Sequence, residues 1–231
     1  MLAAGLGSRL GDITRDIPKP LITLGNQTIL GINIGKLLEI GVSEIIVNTH
    51  YQSEKIEQFI ECSNFSIPVT TSYEEVLLGT GGTLVKHINA LAEDDFIVMH
   101  SDNFFESSLT CLIDTHLKHE TFHLGTLATF RTSMPSETGI VELNLDGSIR
   151  KFYEKVKSPP GNLASAAIMI LRPEVKGLIL ELGENCQDIS RDLIPFLCNQ
   201  LVTAELNGYF FDIGTQESLN KAKIIAGQNS F

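Results

Sequence analysis

Apolar and polar positions along the first hundred residues alternate between two patterns. Residues 44–49 and 96–99 are apolar runs typical of strands buried on both faces, and residues 68–73 form a strand between them. Residues 27–40 and 53–60 carry apolar side chains at helical spacing. Alternating strands and helices imply right-handed crossovers and a sheet covered on both sides. The pattern predicts an α/β fold with a Rossmann-like, mixed but mainly parallel sheet flanked by helices.

From residue 124 onward the pattern changes to short strands joined by turns. Residues 124–130, 140–143 and 149–153 have the composition of strands, and Asp146-Gly147 is a strong hairpin signal. Antiparallel hairpins added to a parallel sheet usually form a second lobe, which we expect to lie over the ligand crevice. The remaining predicted elements are a helix that residues 78–83 open and that runs to about residue 91, a strand over residues 164–171 and a helix over residues 216–226.

A glycine-rich turn follows the apolar start of the chain. Small residues at Gly5 and Gly7 let the backbone approach a ligand closely, and their N–H groups can converge on an anion. Arg9 after the turn and Lys19 between two prolines supply the charge that a polyphosphate requires, one as a planar fork and the other as a point charge. Together they predict phosphate binding, although a glycine-rich turn alone is more often only a turn.

Two common nucleotide-binding motifs are absent from the sequence. The dinucleotide fingerprint requires a glycine where Leu10 stands, and an acidic residue at the end of the second strand, which residues 45–49 do not provide. The Walker A motif requires Gly-Lys-Ser/Thr, and Gly35-Lys36-Leu37 is the nearest approach. The glycine-rich turn is therefore predicted to be a different kind of phosphate-binding loop.

Composition restricts the class of protein further. With 231 residues, of which 43% are hydrophobic, the chain can form one substantial globular domain. A net charge of −11 argues against a nucleic-acid-binding surface, so phosphate chemistry must rely on local cations and a divalent metal. No apolar run reaches the roughly 18 residues of a membrane span. The four cysteines have no C-x-x-C spacing and no secretory segment before them, which predicts buried thiols in the reducing cytoplasm.

Two aspartates are candidate metal ligands. Asp102 follows the strand at residues 96–99, so its carboxylate is expected in the crevice at the carboxyl ends of the strands. A hard divalent cation takes oxygen ligands of this kind, although a single aspartate there is more often a cap or turn residue. Asp212, after three aromatic residues, could deliver a second carboxylate.

The histidines do not indicate a zinc site. Three of the six lie in one stretch, as His116, His119 and His123. No cysteine or carboxylate pattern completes a tetrahedral set, so we interpret these three as solvated surface residues.

Five ordered motifs resemble those of the sugar-1-phosphate nucleotidyltransferases, also called nucleoside-diphosphate-sugar pyrophosphorylases. They are Leu2-Ala3-Ala4-Gly5-Leu6-Gly7-Ser8-Arg9-Leu10 with Pro18-Lys19-Pro20, Leu78-Gly79-Thr80-Gly81-Gly82, His100-Ser101-Asp102-Asn103, Phe152-Tyr153-Glu154-Lys155, and Tyr209-Phe210-Phe211-Asp212-Ile213-Gly214-Thr215. The resemblance implies the nucleotide-diphospho-sugar transferase fold in a single domain over residues 1–231. It further implies a nucleotide-binding half at residues 1–123 and a sugar-phosphate-binding half at residues 124–231.

The resemblance also implies roles for individual residues. Arg9 and Lys19 would be catalytic, and Asp102 and Asp212 would bind Mg²⁺. The implied nucleotide-binding residues are Leu2, Ala3, Ala4, Gly5, Gly7, Ser8, Gly79, Thr80 and Gly81. The implied sugar-phosphate-binding residues are Gly139, Glu154, Lys155 and Asn162. Without the resemblance, Glu154 and Lys155 would be read as a surface pair of little energetic weight.

The sequence departs from the family pattern at several points. Ser101 and Val156 stand where the family has glycine and proline, and residues 166–169 lack the glycine of the corresponding strand. Residues 190–197 resemble a helix of the family. Only four residues precede the glycine-rich turn, fewer than the usual length of a strand, so we expect a clipped first strand or a misassigned start.

The expected substrates are a nucleoside triphosphate and a sugar 1-phosphate. GTP with a mannose- or heptose-like sugar phosphate is the specific hypothesis. The alternatives are a UTP- or dTTP-dependent enzyme, a cytidylyltransferase for an alcohol phosphate, and a catalytically silent regulatory relative that binds nucleotide or sugar. Family members often form homo-oligomers, but nothing in the sequence fixes a number of subunits.

Overall fold

The computed structural model describes residues 1–91, 93–119 and 123–228. Within them the α-helices are α1 (Ile13–Asp16), α2 (Ile29–Glu39), α3 (Ser53–Cys62), α4 (Gly79–His87), α5 (Thr110–Lys118), α6 (Val175–Leu182), α7 (Ile194–Phe196) and α8 (Gln216–Gln228). The strands are β1 (Thr23–Leu24), β2 (Gln27–Thr28), β3 (Ile45–Thr49), β4 (Val69–Tyr73), β5 (Phe96–Met99), β6 (Asn103–Phe105), β7 (Gly125–Arg131), β8 (Gly139–Leu143), β9 (Ile149–Glu154), β10 (Leu163–Leu171), β11 (Leu201–Glu205) and β12 (Phe210–Asp212).

The chain divides into two compact units, each of which is discontinuous in sequence. The first unit comprises Met1–Leu77, His100–Ser108 and the chain from Gly208 onward. The second unit comprises Leu78–Met99 and Leu109–Asn207. These boundaries differ from the division at residue 123, which concerns ligand binding and stays a prediction.

In the first unit, strand pairing aligns the start of the chain with two later segments. β3 pairs with β4 in parallel over its whole length. Leu2 forms parallel bridges to both Asn48 and His100, so the start of the chain lies between these two segments. β12 pairs with β6 in the antiparallel direction, which places Asp212 opposite Asn103. The unit therefore gathers the first loop and the two aspartate-bearing segments.

Helix α2 is well defined by its ends and its buried face. The Thr28 hydroxyl oxygen accepts a hydrogen bond from Gly31 N at 3.0 Å and caps the first turn. Gly41, with a φ of 81°, turns the chain away after the last turn. Burying an aliphatic side chain contributes about 1.5–3 kcal/mol. The buried aliphatic residues of this helix are Ile29, Leu30, Ile34 and Leu37.

A hydrophobic cluster fixes the segments that carry charged residues in the first unit. It contains Leu10, Phe104 and Ile213. Each of these lies within two residues of a predicted site residue with a charged side chain. Leu10 follows Arg9, and Ile213 follows Asp212. Packing of these apolar neighbours therefore limits where the two charged side chains can lie.

The second unit is built on a six-stranded mixed sheet. Its order is β11-β7-β10-β8-β9, and β5 also pairs with β10. β11 is parallel to β7, whereas the other described pairs of this sheet are antiparallel. The β8–β9 turn has the predicted glycine geometry, since Gly147 has a φ of 86°. β10 is irregular between Ser165 and Met169, where Ala167 has a φ of 52°.

The mixed α/β class and the antiparallel strands after residue 124 are confirmed. β5 has the predicted bounds, and the predicted helices and strands between residues 27 and 99 are present, although α4 ends at His87 instead of near residue 91. The start of the chain, which lies within the described residues, forms only isolated bridges at Leu2 and no strand.

Residues 190–197 do not form one regular helix, because a π-helix over Ile189–Leu193 precedes α7. Pro195 has no N–H to donate, so the regular hydrogen-bond ladder cannot run through this segment.

Two interpretations of exposure are wrong. His116 is buried, not solvated: its Nδ1 lies 3.0 Å from Thr126 Oγ1 and its Nε2 lies 3.0 Å from Asp95 Oδ2. These partners come from other segments and satisfy the ring within the protein. Cys62, predicted to be buried, is the last residue of α3 and is exposed.

The described helices are short. The longest, α8, has 13 residues. In the part of the chain that the structure describes, no helix combines the length and the apolar composition needed to cross a bilayer.

Candidate active site

The residues before the glycine-rich turn are held in place by two neighbouring segments. Ala3 N donates a hydrogen bond to Asn48 Oδ1 at 2.6 Å, and Ser101 N donates to Leu2 O at 3.0 Å. Ala3 and Ala4 are buried, whereas Gly5 is exposed. The predicted nucleotide-binding stretch therefore passes from a fixed, buried backbone to an accessible loop.

The turn itself requires glycine at position 7. Gly7 has a φ of 65°, and a Cβ there would lie 3.0 Å from Thr14 Cγ2. The Thr14 hydroxyl donates a hydrogen bond to Gly7 O at 3.0 Å, and Leu10 N donates to the same oxygen at 3.0 Å. Ser8 then begins a single 3₁₀ turn. The loop is therefore a rigid turn fixed by its own hydrogen bonds.

A cavity of about 290 Å³ opens beside this turn. It is lined by residues 5–10 together with Lys19, Asp102 and Gly214. This volume is at the lower end of the range for small-molecule sites, about 300–1,000 Å³. The structure thus brings the glycine-rich turn, both predicted cations, Arg9 and Lys19, and one of the two predicted carboxylates, Asp102, to one place.

Lys19 lies between the two aspartates. Its Nζ donates a hydrogen bond to Asp102 Oδ2 and lies 3.3 Å from Asp212 Oδ1. Only 8% of the Lys19 side chain is exposed, compared with 24% for Asp102 and 55% for Asp212. Charges attract more strongly where water is excluded than at an open surface. Lys19 is therefore a fixed cation whose orientation is set by two carboxylates.

The environment of Asp102 favours its ionised form. Burial alone would raise the pKa of the Asp102 carboxyl, but the Lys19 ammonium and, after it, His100 outweigh burial and hold that pKa below its ordinary value. His100 Nδ1 lies 4.0 Å from Asp102 Oδ1. Asp102 is therefore a carboxylate at neutral pH, which is the form that can bind a cation.

Strand pairing explains how two aspartates far apart in sequence meet. Asp212 lies opposite Asn103 in the β6–β12 pair, and Ile213 N donates a hydrogen bond to Asp102 O at 3.0 Å. The two carboxylates therefore project from adjacent backbone positions. The sequence assigned both to one site, and the structure brings them together. Metal binding by them stays a prediction.

The donor set fits a magnesium ion. Among the described residues, no group of three or more His, Cys, Asp or Glu side chains could form a metal cage. Mg²⁺ does not need one, because it usually takes one or two protein carboxylates and completes its shell with water and substrate phosphates. Asp102 and Asp212 both reach the Lys19 ammonium, so they lie close enough to share a cation.

Arg9 lies against Gly214, a residue to which the sequence assigned no role. A Cβ on Gly214 would lie 2.7 Å from Arg9 Nη2 and 3.0 Å from Arg9 Cζ. Arg9 Nη2 also lies 3.8 Å from Asp212 Oδ2, and 67% of the Arg9 side chain is exposed. Because Gly214 has no side chain, the Arg9 guanidinium can occupy this position without a clash. The available signal was its position in the Asp-Ile-Gly-Thr motif.

The glycines at the start of α4 have a packing role that the sequence did not predict. Gly79 has a φ of 75°, and a Cβ there would lie 2.3 Å from Gln187 O. A Cβ on Gly81 would lie 2.5 Å from Cys186 O. Protein backbone therefore fills the space that a side chain at Gly79 or Gly81 would need. Nucleotide binding by Gly79, Thr80 and Gly81 stays a prediction.

Three predicted sugar-phosphate residues lie at the open end of the β8–β9 hairpin. Gly139 is opposite Glu154, and a Cβ on Gly139 would lie 2.8 Å from Glu154 Oε2. Lys155 has a left-handed φ of 48°, and its Nζ lies 3.4 Å from Glu154 Oε1. A backbone of this kind costs about 1–3 kcal/mol and often occurs at functional sites. The structure therefore brings these three residues together.

Asn162, the fourth of these residues, has a protein partner. Its Oδ1 accepts a hydrogen bond from Arg131 Nη1 at 3.1 Å. Arg131 in turn forms a two-point ion pair with Glu205, with both N–O distances at 2.9 Å. Sugar-phosphate binding by Asn162 stays a prediction.

Comparison with known sequences identifies related proteins. The family model described as nucleotidyl transferase matches residues 1–228. The probable mannose-1-phosphate guanylyltransferase 1 of Oryza sativa subsp. japonica is 32% identical over 222 residues, which are 93% of this chain and 60% of that protein. The mannose-1-phosphate guanyltransferase of Saccharomyces cerevisiae is 31% identical over 222 residues, with the same two coverages. The chain thus spans about 60% of the length of these relatives.

Solved structures share the fold at lower sequence identity. A putative glucose-1-phosphate thymidylyltransferase from Bacillus anthracis superposes with a TM-score of 0.87 at 21% identity, covering 100% of this chain and 95% of that one. A UDP-glucose pyrophosphorylase from Acinetobacter baumanii has a TM-score of 0.85 at 18% identity, covering 100% and 93%. At these identities the likeness concerns the fold alone.

Proposed function

The chain belongs to the nucleotidyl transferase family, and on this premise we propose that it transfers a nucleotidyl group from a nucleoside triphosphate to a sugar 1-phosphate. The products are a nucleoside-diphosphate sugar and pyrophosphate. The specific hypothesis is GTP with a mannose- or heptose-like sugar 1-phosphate. It is supported by the names of the Oryza sativa and Saccharomyces cerevisiae relatives.

The observation that carries the proposal is the position of Lys19 between Asp102 and Asp212, beside the glycine-rich turn. Both substrates are anions, so their approach requires fixed positive charge. Lys19 is buried and already oriented, and such a preorganised cation stabilises developing charge without rearranging during the reaction. Arg9 is more exposed and offers a planar fork suited to the leaving phosphates.

The bond changes require no nucleophilic side chain. An oxygen of the sugar 1-phosphate, ionised at pH 7, attacks the α-phosphorus of the triphosphate in line. The new oxygen–phosphorus bond forms while the bond from the α-phosphorus to the bridging oxygen of the β-phosphate breaks. That oxygen keeps the electron pair and leaves as part of pyrophosphate. The contribution of the chain is therefore positioning and electrostatic stabilisation.

We assign Asp102 and Asp212 as the protein ligands of Mg²⁺. When bound there, the ion supplies charge neutralisation at the phosphate oxygens. Asp102 is suited to this role because the Lys19 ammonium helps to hold its pKa below the ordinary value despite burial. Asp212 is suited to it because β12 delivers its carboxylate to the same ammonium.

The remaining predicted residues are assigned unit by unit. In the first unit, the nucleotide is assigned to Leu2, Ala3, Ala4, Gly5, Gly7 and Ser8. In the second unit, Gly79, Thr80 and Gly81 are assigned to the nucleotide, and Gly139, Glu154, Lys155 and Asn162 to the sugar phosphate. The strained backbone at Lys155 and the contact of its ammonium with Glu154 support the assignment to the sugar phosphate.

The test is a pyrophosphate-release panel of GTP, UTP, dTTP and CTP, each with mannose, glucose and heptose 1-phosphates and Mg²⁺. We expect GTP with a mannose- or heptose-like sugar phosphate to give the highest kcat/KM. Turnover with UTP or dTTP only would contradict the GTP hypothesis and support a UTP- or dTTP-dependent enzyme. Triphosphate binding by calorimetry without pyrophosphate release in any combination would contradict the proposed reaction and support the silent regulatory alternative.

We further propose that the protein acts in the cytoplasm. This proposal is supported by the four free cysteines, because thiols stay reduced in that compartment. Cell fractionation with an antibody to the chain checks this location.

A further inference from the structure

Asn33 is a polar residue on the buried side of α2. Its exposed fraction is 0%, and its neighbours along the helix include the buried Ile29, Leu30 and Ile34. Its Nδ2 donates hydrogen bonds to Ser101 O at 3.0 Å and to Asn103 O at 2.9 Å. One amide group therefore holds the residues on both sides of Asp102.

The Asn33 side chain is paired through its amide nitrogen, which donates two hydrogen bonds, but not through its amide oxygen in the described chain. Among the described residues, Asn33 Oδ1 has no hydrogen-bond partner. An unpaired buried acceptor destabilises the folded chain. In the part of the chain that the structure describes, the Asn33 side chain therefore has a buried, unpaired carbonyl oxygen, while both of its N–H groups bond to one short segment. Fold stability alone is a poor explanation for this asparagine.

The backbone around Asp102 is held at every carbonyl. The carbonyls of Ser101 and Asn103 accept from Asn33, and the carbonyl of Asp102 accepts from Ile213 N at 3.0 Å. Ser101 N donates to Leu2 O at 3.0 Å. Because backbone orientation decides where a Cβ points, these bonds set the direction of the Asp102 carboxylate.

We propose that Asn33 is a positioning residue, which acts through the backbone of Ser101 and Asn103 to aim the Asp102 carboxylate at its cation. The inference rests on the proposed function, in which Asp102 is a metal ligand. Asn33 itself contacts neither metal nor substrate. Groups that orient metal ligands by hydrogen bonds typically change metal affinity or activity by about 10–100-fold when removed.

Helix α2 offers a matched control. Lys36, one turn after Asn33, donates from Nζ to Glu106 O at 3.2 Å and to Ser107 O at 3.0 Å. It therefore anchors the same segment from the same helix, but at the end remote from Asp102. Lys36→Met removes the two hydrogen bonds from Nζ to these backbone carbonyls. It leaves in place the two hydrogen bonds from Asn33 to the carbonyls that flank Asp102.

The experiment measures Mn²⁺ affinity by electron paramagnetic resonance titration of the free chain, with Mn²⁺ alone and no triphosphate. Melting temperatures are recorded for the same samples. We expect Asn33→Leu to weaken Mn²⁺ binding by about tenfold or more. Asn33→Ser should show a smaller loss, because one hydroxyl donates to only one carbonyl. Lys36→Met should bind Mn²⁺ as the unmodified chain does.

Metal affinity separates positioning from a merely structural role, since Asn33→Leu and Lys36→Met should both lower the melting temperature. Unchanged Mn²⁺ affinity in Asn33→Leu, or an equal loss in Lys36→Met, overturns the proposal. If Asn33→Leu does not fold, unchanged affinity in Asn33→Ser overturns it. An unmodified chain that binds no Mn²⁺ overturns it together with the metal assignment, while the pyrophosphate-release panel judges the transfer reaction separately.

Discussion

The guanidinium of Arg9 occupies the space that a side chain at Gly214 would need. A Cβ on Gly214 would lie 2.7 Å from Nη2 and 3.1 Å from Nη1 of Arg9. The crowded group is the far end of a flexible, exposed side chain, so it can move without disturbing the backbone. The glycine of the Asp-Ile-Gly-Thr motif therefore controls where the Arg9 charge lies.

Gly214→Ala should lower activity with little change in stability. The new methyl group displaces the Arg9 guanidinium, and we expect kcat to fall by roughly ten- to a hundredfold, less than full removal of a charge-stabilising donor. The melting temperature should stay near that of the unmodified chain. Pyrophosphate-release kinetics and a thermal melt measure both quantities. Gly35→Ala is the control, since nothing lies within 4 Å of a Cβ there. Unchanged kcat in Gly214→Ala would show that Arg9 has no fixed role.

Gly81→Ala should lower stability. Its Cβ would lie 2.5 Å from Cys186 O, a backbone atom that cannot move freely, and overpacking of this kind costs about 1–3 kcal/mol. Gly177→Ala on α6, where no atom lies within 4 Å, should instead stabilise the chain by about 0.5–1 kcal/mol. Urea unfolding compares the two variants. Normal stability with lost triphosphate affinity in Gly81→Ala would show instead that this glycine leaves room for the nucleotide.

Ala167→Gly should stabilise the protein. Ala167 has a φ of 52° within β10, and an L residue in that region costs roughly 1–2 kcal/mol. Glycine relieves this strain, but it also raises the conformational entropy of the unfolded chain, which lowers the free energy of unfolding by about 0.4–1 kcal/mol. A net gain of about 0.5–1 kcal/mol in the free energy of unfolding is expected from these opposing values.

A second variant in the same strand checks the origin of this gain. Ala164 is fully buried and is not among the residues with positive φ. Ala164→Gly should therefore destabilise the chain by about 1 kcal/mol. Equal destabilisation of Ala164→Gly and Ala167→Gly in urea unfolding would contradict backbone strain at Ala167.

Lys155→Ala should act mainly on the sugar phosphate. If this ammonium holds the sugar phosphate equally in ground and transition states, its loss raises the KM for that substrate with little change in kcat. Steady-state kinetics at saturating triphosphate measure the split. Lys157→Ala, an exposed lysine two residues away, should leave both constants unchanged. A normal KM for sugar phosphate in Lys155→Ala would remove Lys155 from the site.

Much of the site could be predicted because its residues follow local signals. Asp102 comes after an apolar run whose bounds, Phe96–Met99, match the strand. Asp212 precedes an Ile-Gly-Thr sequence that a surface turn does not explain. Both therefore lie at strand ends, where the chain presents polar side chains to a ligand.

The rest depends on contacts between residues far apart in sequence. Gly81 is small because the Cys186 carbonyl packs on it, and no local pattern announces that contact. His116 looked solvated because its partners, Thr126 and Asp95, lie on other segments. Asn33 gave a weak signal, a polar residue at a core position of an otherwise apolar helix face, whose meaning appears only with the carbonyls beside Asp102.

In the proposed reaction, Asp102 and Asp212, held around Lys19, form the centre of nucleotidyl transfer. The most direct measurement is kcat for pyrophosphate release by Asp102→Asn and Asp212→Asn with the best substrate pair at ordinary Mg²⁺ concentration. Asp114→Asn, at an exposed position of α5, is the control. We expect kcat to fall by more than about a hundredfold in each of the first two variants, as for loss of preorganised charge stabilisation, and to stay unchanged in the third. Wild-type kcat in Asp102→Asn or Asp212→Asn would remove that aspartate from the reaction centre.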